Sequence, residues 1–153
     1  MPPADPKRLK AINRVQTVLK AIQAGDNYFK TPYEVVKRAL TEEECRGFPT
    51  YQVFADIGEG VQFAGYHLYN EKMTIFVFGI CSHHEDPVTE NERCIRDIRK
   101  AIKDDSQSSA PESLKGMGCI TDIKECPVTG YQGTYGFLRQ KINIEFSGDF
   151  GEL

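Results

Sequence analysis

The stretch from Lys72 to Ser82, KMTIFVFGICS, decides the fold that this sequence predicts. Its side chains alternate between two sets, and both sets are mainly apolar, which is typical of a strand in the middle of a sheet. The sets are Met73, Ile75 and Val77 on one side and Phe76, Phe78 and Ile80 on the other. We therefore expect a central strand with both faces covered.

Two further extended runs precede this strand, Tyr51 to Ile57 and Val61 to Tyr69. The segments Gly58-Glu59-Gly60 and Asn70-Glu71 separate the three runs, and short polar or glycine-rich breaks of this kind join neighbouring antiparallel strands. The pattern predicts a three-strand meander.

The chain before the meander predicts one helix and one short strand. From Pro6 to Ala24, apolar residues recur at steps of three and four, which is the period of an amphipathic helix. Tyr33 to Leu40 favours a short strand, with a helical turn as the alternative. Thr41-Glu42-Glu43-Glu44 has the form of a capping box that opens one short turn.

After the central strand, the sequence predicts a second helix, a loop and two strands. Thr89-Glu90-Asn91-Glu92 is suited to cap a helix, and the buried stripe of that helix would be Cys94, Ile95, Ile98 and Ile102. Asp104 to Met117 is typical of a long exposed loop. Gly118 to Glu125 and Tyr135 to Ser147 predict the two strands.

Side chains in the last of these strands alternate between an apolar and a polar set. The apolar set is Leu138, Ile142, Ile144 and Phe146, and the polar set is Arg139, Lys141, Asn143 and Glu145. One side would therefore pack on the core, and the other would meet water or a partner.

These elements predict a single α+β domain over residues 1–153, with the order α-β-β-β-β-α-β-β. Its sheet would be mainly antiparallel, made of the three-strand meander plus a C-terminal strand pair, and packed against two helices. A chain of 153 residues is long enough to bury one sizeable core. Residues 147–153 are expected to form a mobile C-terminal tail.

Charge is unevenly distributed along the chain. The net charge is -3, but residues 1–40 carry about +5 and the remainder about -8. A basic segment is able to contact nucleic acid or the acidic surface of a neighbouring copy, and the lack of an aromatic and basic nucleic-acid motif favours the second. No apolar run has the length of a membrane helix and no signal-peptide core is present, so we expect a cytosolic protein without membrane contact.

Residues with catalytic potential all have plainer explanations. The five cysteines are odd in number and irregularly spaced, which predicts reduced thiols that fill the core. Cys81-Ser82-His83-His84-Glu85-Asp86 concentrates metal-capable side chains, but adjacent histidines cannot easily bind one ion together. Asp104-Asp105 and Glu42-Glu43-Glu44 have the polar surroundings of surface charges. The sequence therefore predicts no catalytic residue, no metal site, no cofactor and no enzyme activity.

Three segments carry a resemblance to a known family. They are MTIFVFGI at residues 73–80, ERCIRDIRKAI at residues 92–102, and FLRQKINIEF at residues 137–146, the last preceded by the aromatic-glycine step Tyr135-Gly136. With the order of elements, they resemble the tail terminator family of long-tailed phages, also called minor tail protein U-like or tail completion proteins. The resemblance covers nearly the whole chain, although the cysteines and the Cys81 to Asp86 segment depart from the family pattern.

This resemblance implies a structural virion protein that forms a hexameric ring at the head-proximal end of the tail, after assembly in the host cytoplasm. The ring would cap the completed tail tube, bind the tail tube protein, end its polymerisation and present a surface to the head-tail connector protein. Nucleic acid would be involved only as a molecule that passes through the ring. Such a ring needs a heterologous interface that closes by rotation.

We expect the contacts of such a ring in three regions of the chain. A basic first helix would meet acidic surface on the next copy, while the outer face of the last strand and the loop Asp105 to Met117 would contact the neighbour or the tube. The residues concerned are Lys10 and Arg14 in the helix, Ser108 and Ser109 in the loop, and Arg139, Lys141, Asn143 and Glu145 in the strand.

Three other functions remain open at this point. A head-tail connector completion protein would share the ring symmetry and lack catalysis. A small metal-dependent hydrolase or nuclease would use His83, His84, Glu85 and Asp86, and elemental analysis of the purified protein would test it. A soluble monomeric binding module is the third.

Overall fold

The computed structural model describes residues 2–56, 60–63, 65, 67–124 and 128–149, and this part of the chain contains two helices and seven strands. In chain order they are α1 (Lys7–Lys20), β1 (Glu34–Val36), β2 (Thr50–Ala55), β3 (Gly60–Phe63), β4 (Leu68–His83), α2 (Pro87–Gln107), β5 (Ile120–Ile123), β6 (Val128–Gln132) and β7 (Tyr135–Asp149). The predicted α+β class is confirmed.

The sheet is built around two long antiparallel strands, β4 and β7, which pair from Leu68 opposite Asp149 to His83 opposite Tyr135. Because β7 occupies one edge of β4, β2 and β3 lie end to end along its other edge, and β5 and β6 lie in the same way along β7. β1 pairs with β2 in parallel. The sheet is therefore mixed but mostly antiparallel.

Both helices pack on one face of the sheet and enclose the core with it. The buried residues of α1 are Ala11, Val15 and Leu19, and those of α2 include Cys94, Ile98 and Ile102. They meet the inward set of β4, which is Met73, Ile75 and Val77, and the inward set of β7, which is Leu138, Ile142, Ile144 and Phe146. The predicted alternation of the last strand is thus confirmed.

The second helix begins earlier and ends later than predicted. Asp86, not Thr89, caps it: the Asp86 carboxylate accepts hydrogen bonds from the Thr89 N–H at 3.1 Å and the Thr89 hydroxyl at 2.6 Å. The helix continues to Gln107, so the expected loop from Asp104 starts inside it. Ser113 and Leu114 are fully buried, and the prediction of a wholly exposed loop is wrong.

The predicted meander is also wrong. Asn70 and Glu71, expected to form a turn, lie inside β4 and pair with β7. The chain instead reverses between β3 and β4, where Gly65 has a φ of 121° and His67 a φ of 66°. Since β2 and β3 share one edge of β4, β3 does not lie between β2 and β4 as a meander requires.

At the C-terminal side, the sequence predicted two strands and the structure has three. β6 is the strand that was missed, and it turns into β7 through Gly133, whose φ is 60°. Residues 147–149, expected to belong to a mobile tail, extend β7 and pair with the start of β4. Residues 150–153 lie outside the described residues.

Candidate interaction face of the sheet

A patch of half-buried aromatic side chains lies on the sheet face opposite the helices. Phe76 and Phe78 of β4 point to this face, next to Phe54 of β2, whose ring centroid lies 5.4 Å from that of Phe78. In β7, the residues opposite Phe76 and Phe78 are Lys141 and Arg139. β4 is central as predicted, but the expectation that both of its faces are covered is wrong, since the two described helices pack on the face of Met73, Ile75 and Val77. We call the opposite face, which carries Phe76 and Phe78, the open face.

All four residues predicted on the outer side of β7 lie in a row on the open face. The Arg139 guanidinium sits over the Phe76 ring, 5.3 Å from its centroid. The Thr74 hydroxyl donates to Asn143 Oδ1 at 3.2 Å, and Glu145 is exposed at the end of the row. The row therefore places charged and amide groups beside the aromatic patch, and its role in an interface stays a prediction.

A groove of about 710 Å³ lies at one end of the open face. One wall is the segment Ala39–Glu43, and the floor consists of Phe54, Phe78, Ile80 and Phe137. We call it the aromatic groove. Its volume falls in the range of cavities that hold a sizeable apolar group, roughly 300–1,000 Å³.

Two sets of hydrogen bonds hold the wall of the aromatic groove. The Leu40 N–H donates to Gln52 Oε1 at 2.9 Å, which ties the wall to β2. Thr41 and Glu44 form the predicted capping box, with Glu44 N–H to Thr41 Oγ1 at 3.3 Å and Thr41 N–H to Glu44 Oε1 at 3.4 Å. The bond from the Thr41 backbone is the main reason why the pKa of Glu44 is lowered. The wall is therefore an ordered turn.

A second concavity, of about 550 Å³, lies at the other end of the open face. Charged side chains of both signs line it, namely Asp56, Lys72, Asp122, Lys141 and Glu145. The open face thus has an apolar end and a charged end. This combination gives a partner both area to bury and charges that fix its orientation.

The other predicted interface residues lie on the helical side, away from the open face. Lys10 is exposed on α1, Ser109 is exposed and Ser108 is the half-buried C-cap of α2. Arg14 forms a bidentate pair with Asp105 of α2, at 2.6 to 3.2 Å, and this hydrogen bonding raises the pKa of Arg14. Arg14 therefore joins the two helices of its own chain.

The segment from Cys81 to Asp86 does not gather its side chains around one point. The His83 ring stacks on Tyr135 with centroids 4.3 Å apart, and His84 Nδ1 accepts a hydrogen bond from the Asp86 N–H at 3.1 Å. Hydrogen bonds from Thr89 lower the pKa of Asp86, the helix cap. Among the described residues, no three His, Cys, Asp or Glu side chains form a group able to hold a metal ion.

Three of the cysteines occupy the core, as predicted. Cys81, Cys94 and Cys119 are buried, and Cys45 is half-buried. A hydrogen bond from Cys81 lowers the pKa of Cys94, whereas burial raises the pKa of Cys119. Cys126 lies outside the described residues.

Sequence reasoning missed the burial of two aspartates in α2. Asp97 is fully buried and accepts hydrogen bonds from the N–H groups of Phe29 and Lys30. Asp105, expected at the surface with Asp104, is buried through its pair with Arg14, and that expectation is wrong. The available signal was their spacing: each lies three residues after a member of the apolar stripe of α2, and so points toward the core.

Neither helix in the described part of the chain has the length and apolar character to cross a membrane. No protein-family model matches this chain, and no curated protein matches it either.

Proposed function

We propose that this chain is a structural assembly protein of the tail terminator kind, which associates with copies of itself through the open face. The observation that carries the proposal is the difference between the two faces of the sheet. Both helices pack on one face of the sheet, while the other keeps Phe54, Phe76, Phe78 and Phe137 half-buried beside a charged row. An apolar patch of this kind, rimmed by polar groups, is typical of an interaction site.

The composition of the open face suits a protein contact. Aromatic residues and arginine are enriched at the centres of interfaces, where they contribute most of the binding energy. Arg139 over Phe76 provides both in one place. Lys141, Asn143 and Glu145 continue the row with charged and amide groups that would set the register of a partner.

In this proposal the protein forms a hexameric ring at the head-proximal end of a phage tail. One surface of the ring binds the tail tube protein and stops its polymerisation, and the other binds the head-tail connector protein. Nucleic acid passes through the ring without a dedicated site. The function is structural and not catalytic, and assembly takes place in the host cytoplasm before the protein becomes part of the virion.

The test combines the mass of the protein in solution with its effect on tails. The wild-type protein should form rings, alone or when tail tubes are added, since some assembly proteins close only on their template. A variant with alanine at Arg139, Lys141, Asn143 and Glu145 should lose ring formation and capping while keeping its circular dichroism spectrum. A matched control carries alanine at four exposed positions of the helical side, Thr17, Lys20, Gln23 and Lys103.

Electron microscopy of particles made without this protein separates the proposal from its nearest alternative. Loss of a terminator gives overlong tails, whereas loss of a connector completion protein leaves tails of normal length that are not joined to heads. Normal joined tails, or a four-alanine variant that still forms rings and caps tubes, would refute the assignment of the open face.

A further inference from the structure

An exposed aromatic side chain lies on the helical side of the molecule. Phe29 lies in the segment after α1 and is 52% exposed. Two guanidinium groups of α2 flank its ring, Arg93 at 5.4 Å and Arg96 at 5.5 Å from the centroid. We call these three residues the knob. Arginines and an aromatic ring in this arrangement have the composition of an interface anchor.

The backbone of the knob is held by the buried carboxylate of Asp97. Its oxygens accept hydrogen bonds from the Phe29 N–H at 3.0 and 3.1 Å and from the Lys30 N–H at 3.0 Å. Burying a carboxylate is unfavourable unless such bonds compensate it. The result is an exposed ring on a rigid backbone, which would lose little conformational entropy when a partner binds it.

The aromatic groove offers the complementary chemistry. Its floor is apolar and contains Phe54, Phe78 and Phe137, and its rim carries the carboxylates of Glu42 and Glu43. The hydrogen-bonded turn described above holds this rim in place. An aromatic ring accompanied by guanidinium groups would therefore meet apolar surface below and negative charge at the edge.

We propose that, in the ring, Phe29 of one copy inserts into the aromatic groove of the next copy, with Arg93 and Arg96 facing Glu42 and Glu43. This inference rests on the proposed function and names the two surfaces that would meet. The knob belongs to the helical side and the groove to the open face, so the contact is heterologous. Repeated by rotation, a heterologous contact closes into a ring. Part of its strength comes from opposite charges and weakens as salt is added.

Charge reversal in separate copies tests the contact. Arg93→Glu changes the knob and also ends the pair of Arg93 with Glu90 in its own chain, whereas Glu43→Lys changes the groove. Each variant alone should need at least about tenfold more protein to form rings. In an equimolar mixture of the two variants, the acidic knob of one copy meets the basic groove of the other, and the remaining native knob meets the remaining native groove. Alternating rings with an even number of subunits should then form at nearly the wild-type concentration. Light scattering at low and high salt measures the assembly.

A neutral variant tests the same contact without a change of charge, so that misfolding of the charge variants does not decide the result. Phe29→Ala should abolish ring formation while leaving the circular dichroism spectrum and thermal unfolding unchanged. The matched control is Val88→Ala, since Val88 is exposed to the same degree, 53%, and lies outside the knob. If the wild-type protein forms rings, three results would overturn the inference and leave the proposed function standing. They are charge variants that assemble normally, a mixture that does not assemble, and a Phe29→Ala variant that assembles like the wild type. A wild-type protein that never associates, even with tail tubes, would refute both.

Discussion

Replacing Asp105 by alanine should lower the free energy of unfolding by about 2–4 kcal/mol, whereas alanine at the neighbouring Asp104 should lower it by about 0.5 kcal/mol or less. The two carboxylates are adjacent in sequence, but their side chains are 6% and 54% exposed. Asp105 pairs with Arg14, and Asp104 pairs with Lys100 at the surface. Because both variants remove one negative charge, the difference between them measures the effect of burial and hydrogen bonding.

The magnitude follows from the contacts of Asp105. Its two oxygens accept bonds from the Arg14 guanidinium at 2.6, 3.1 and 3.2 Å, and Oδ2 also accepts the Leu114 N–H at 3.0 Å. Hydrogen bonds to charged groups contribute about 1.5–3 kcal/mol each. Arg14 stays 22% exposed, so water would replace part of what it loses, which brings the expected cost to about 2–4 kcal/mol.

Urea unfolding followed by far-ultraviolet circular dichroism measures both variants, and a double-mutant cycle with Arg14→Ala isolates the pair. We expect a coupling energy of about 1–3 kcal/mol between Asp105 and Arg14, because they contact each other directly. The same urea midpoint for Asp105→Ala and Asp104→Ala, or Arg14 and Asp105 changes that add without coupling, would contradict a stabilising pair between the two helices. The same cycle shows whether Arg14 stabilises the fold of its own chain, as its position between the helices indicates.

Three further predictions concern individual positions. Tyr51→Phe should change the free energy of unfolding by less than about 1 kcal/mol in urea, because the buried hydroxyl has no nitrogen or oxygen partner among the described residues and the neighbouring Cys94 thiol is a weak hydrogen-bonding group; a loss of more than about 2 kcal/mol would contradict this. Gly136→Ala should destabilise by about 1–3 kcal/mol, since a Cβ there would clash with Asn91 Oδ1, whereas the control Gly130→Ala has open space; equal melting temperatures would argue against the packing described. Because the pKa of Asp86 is lowered in the folded state, its carboxylate stabilises the fold above the unfolded-state pKa, and this effect is lost as pH falls through the folded-state pKa. Asp86→Asn should therefore lose less melting temperature than the wild type when the pH is lowered into the acid range. Identical pH profiles of melting temperature would disprove it.

Sequence reasoning succeeded where a repeating pattern applied. Period-two alternation assigned the inward and outward sides of β7 correctly, and the three- and four-residue spacing in α2 identified Cys94, Ile98 and Ile102 as its buried stripe. These patterns follow from local backbone geometry, which fixes the direction of each side chain before any distant contact forms. The open face could not be recognised in this way. Phe76 and Phe78 have the pattern of a covered set, and their exposure depends on the polar residues that β7 places beside them.

The amino-acid sequence by itself determined the α+β class, the central position of the KMTIFVFGICS strand and the core side of the helix and strand that follow it, because these depend on spacing between near neighbours. Tertiary structure alone decided the strand order, the aromatic groove, and the burial of Asp97 and Asp105. The partners of these carboxylates lie 68 and 91 residues away in the chain. Spacing places these carboxylates on the inward side of α2, but whether a charged side chain stays buried there depends on which distant group reaches it.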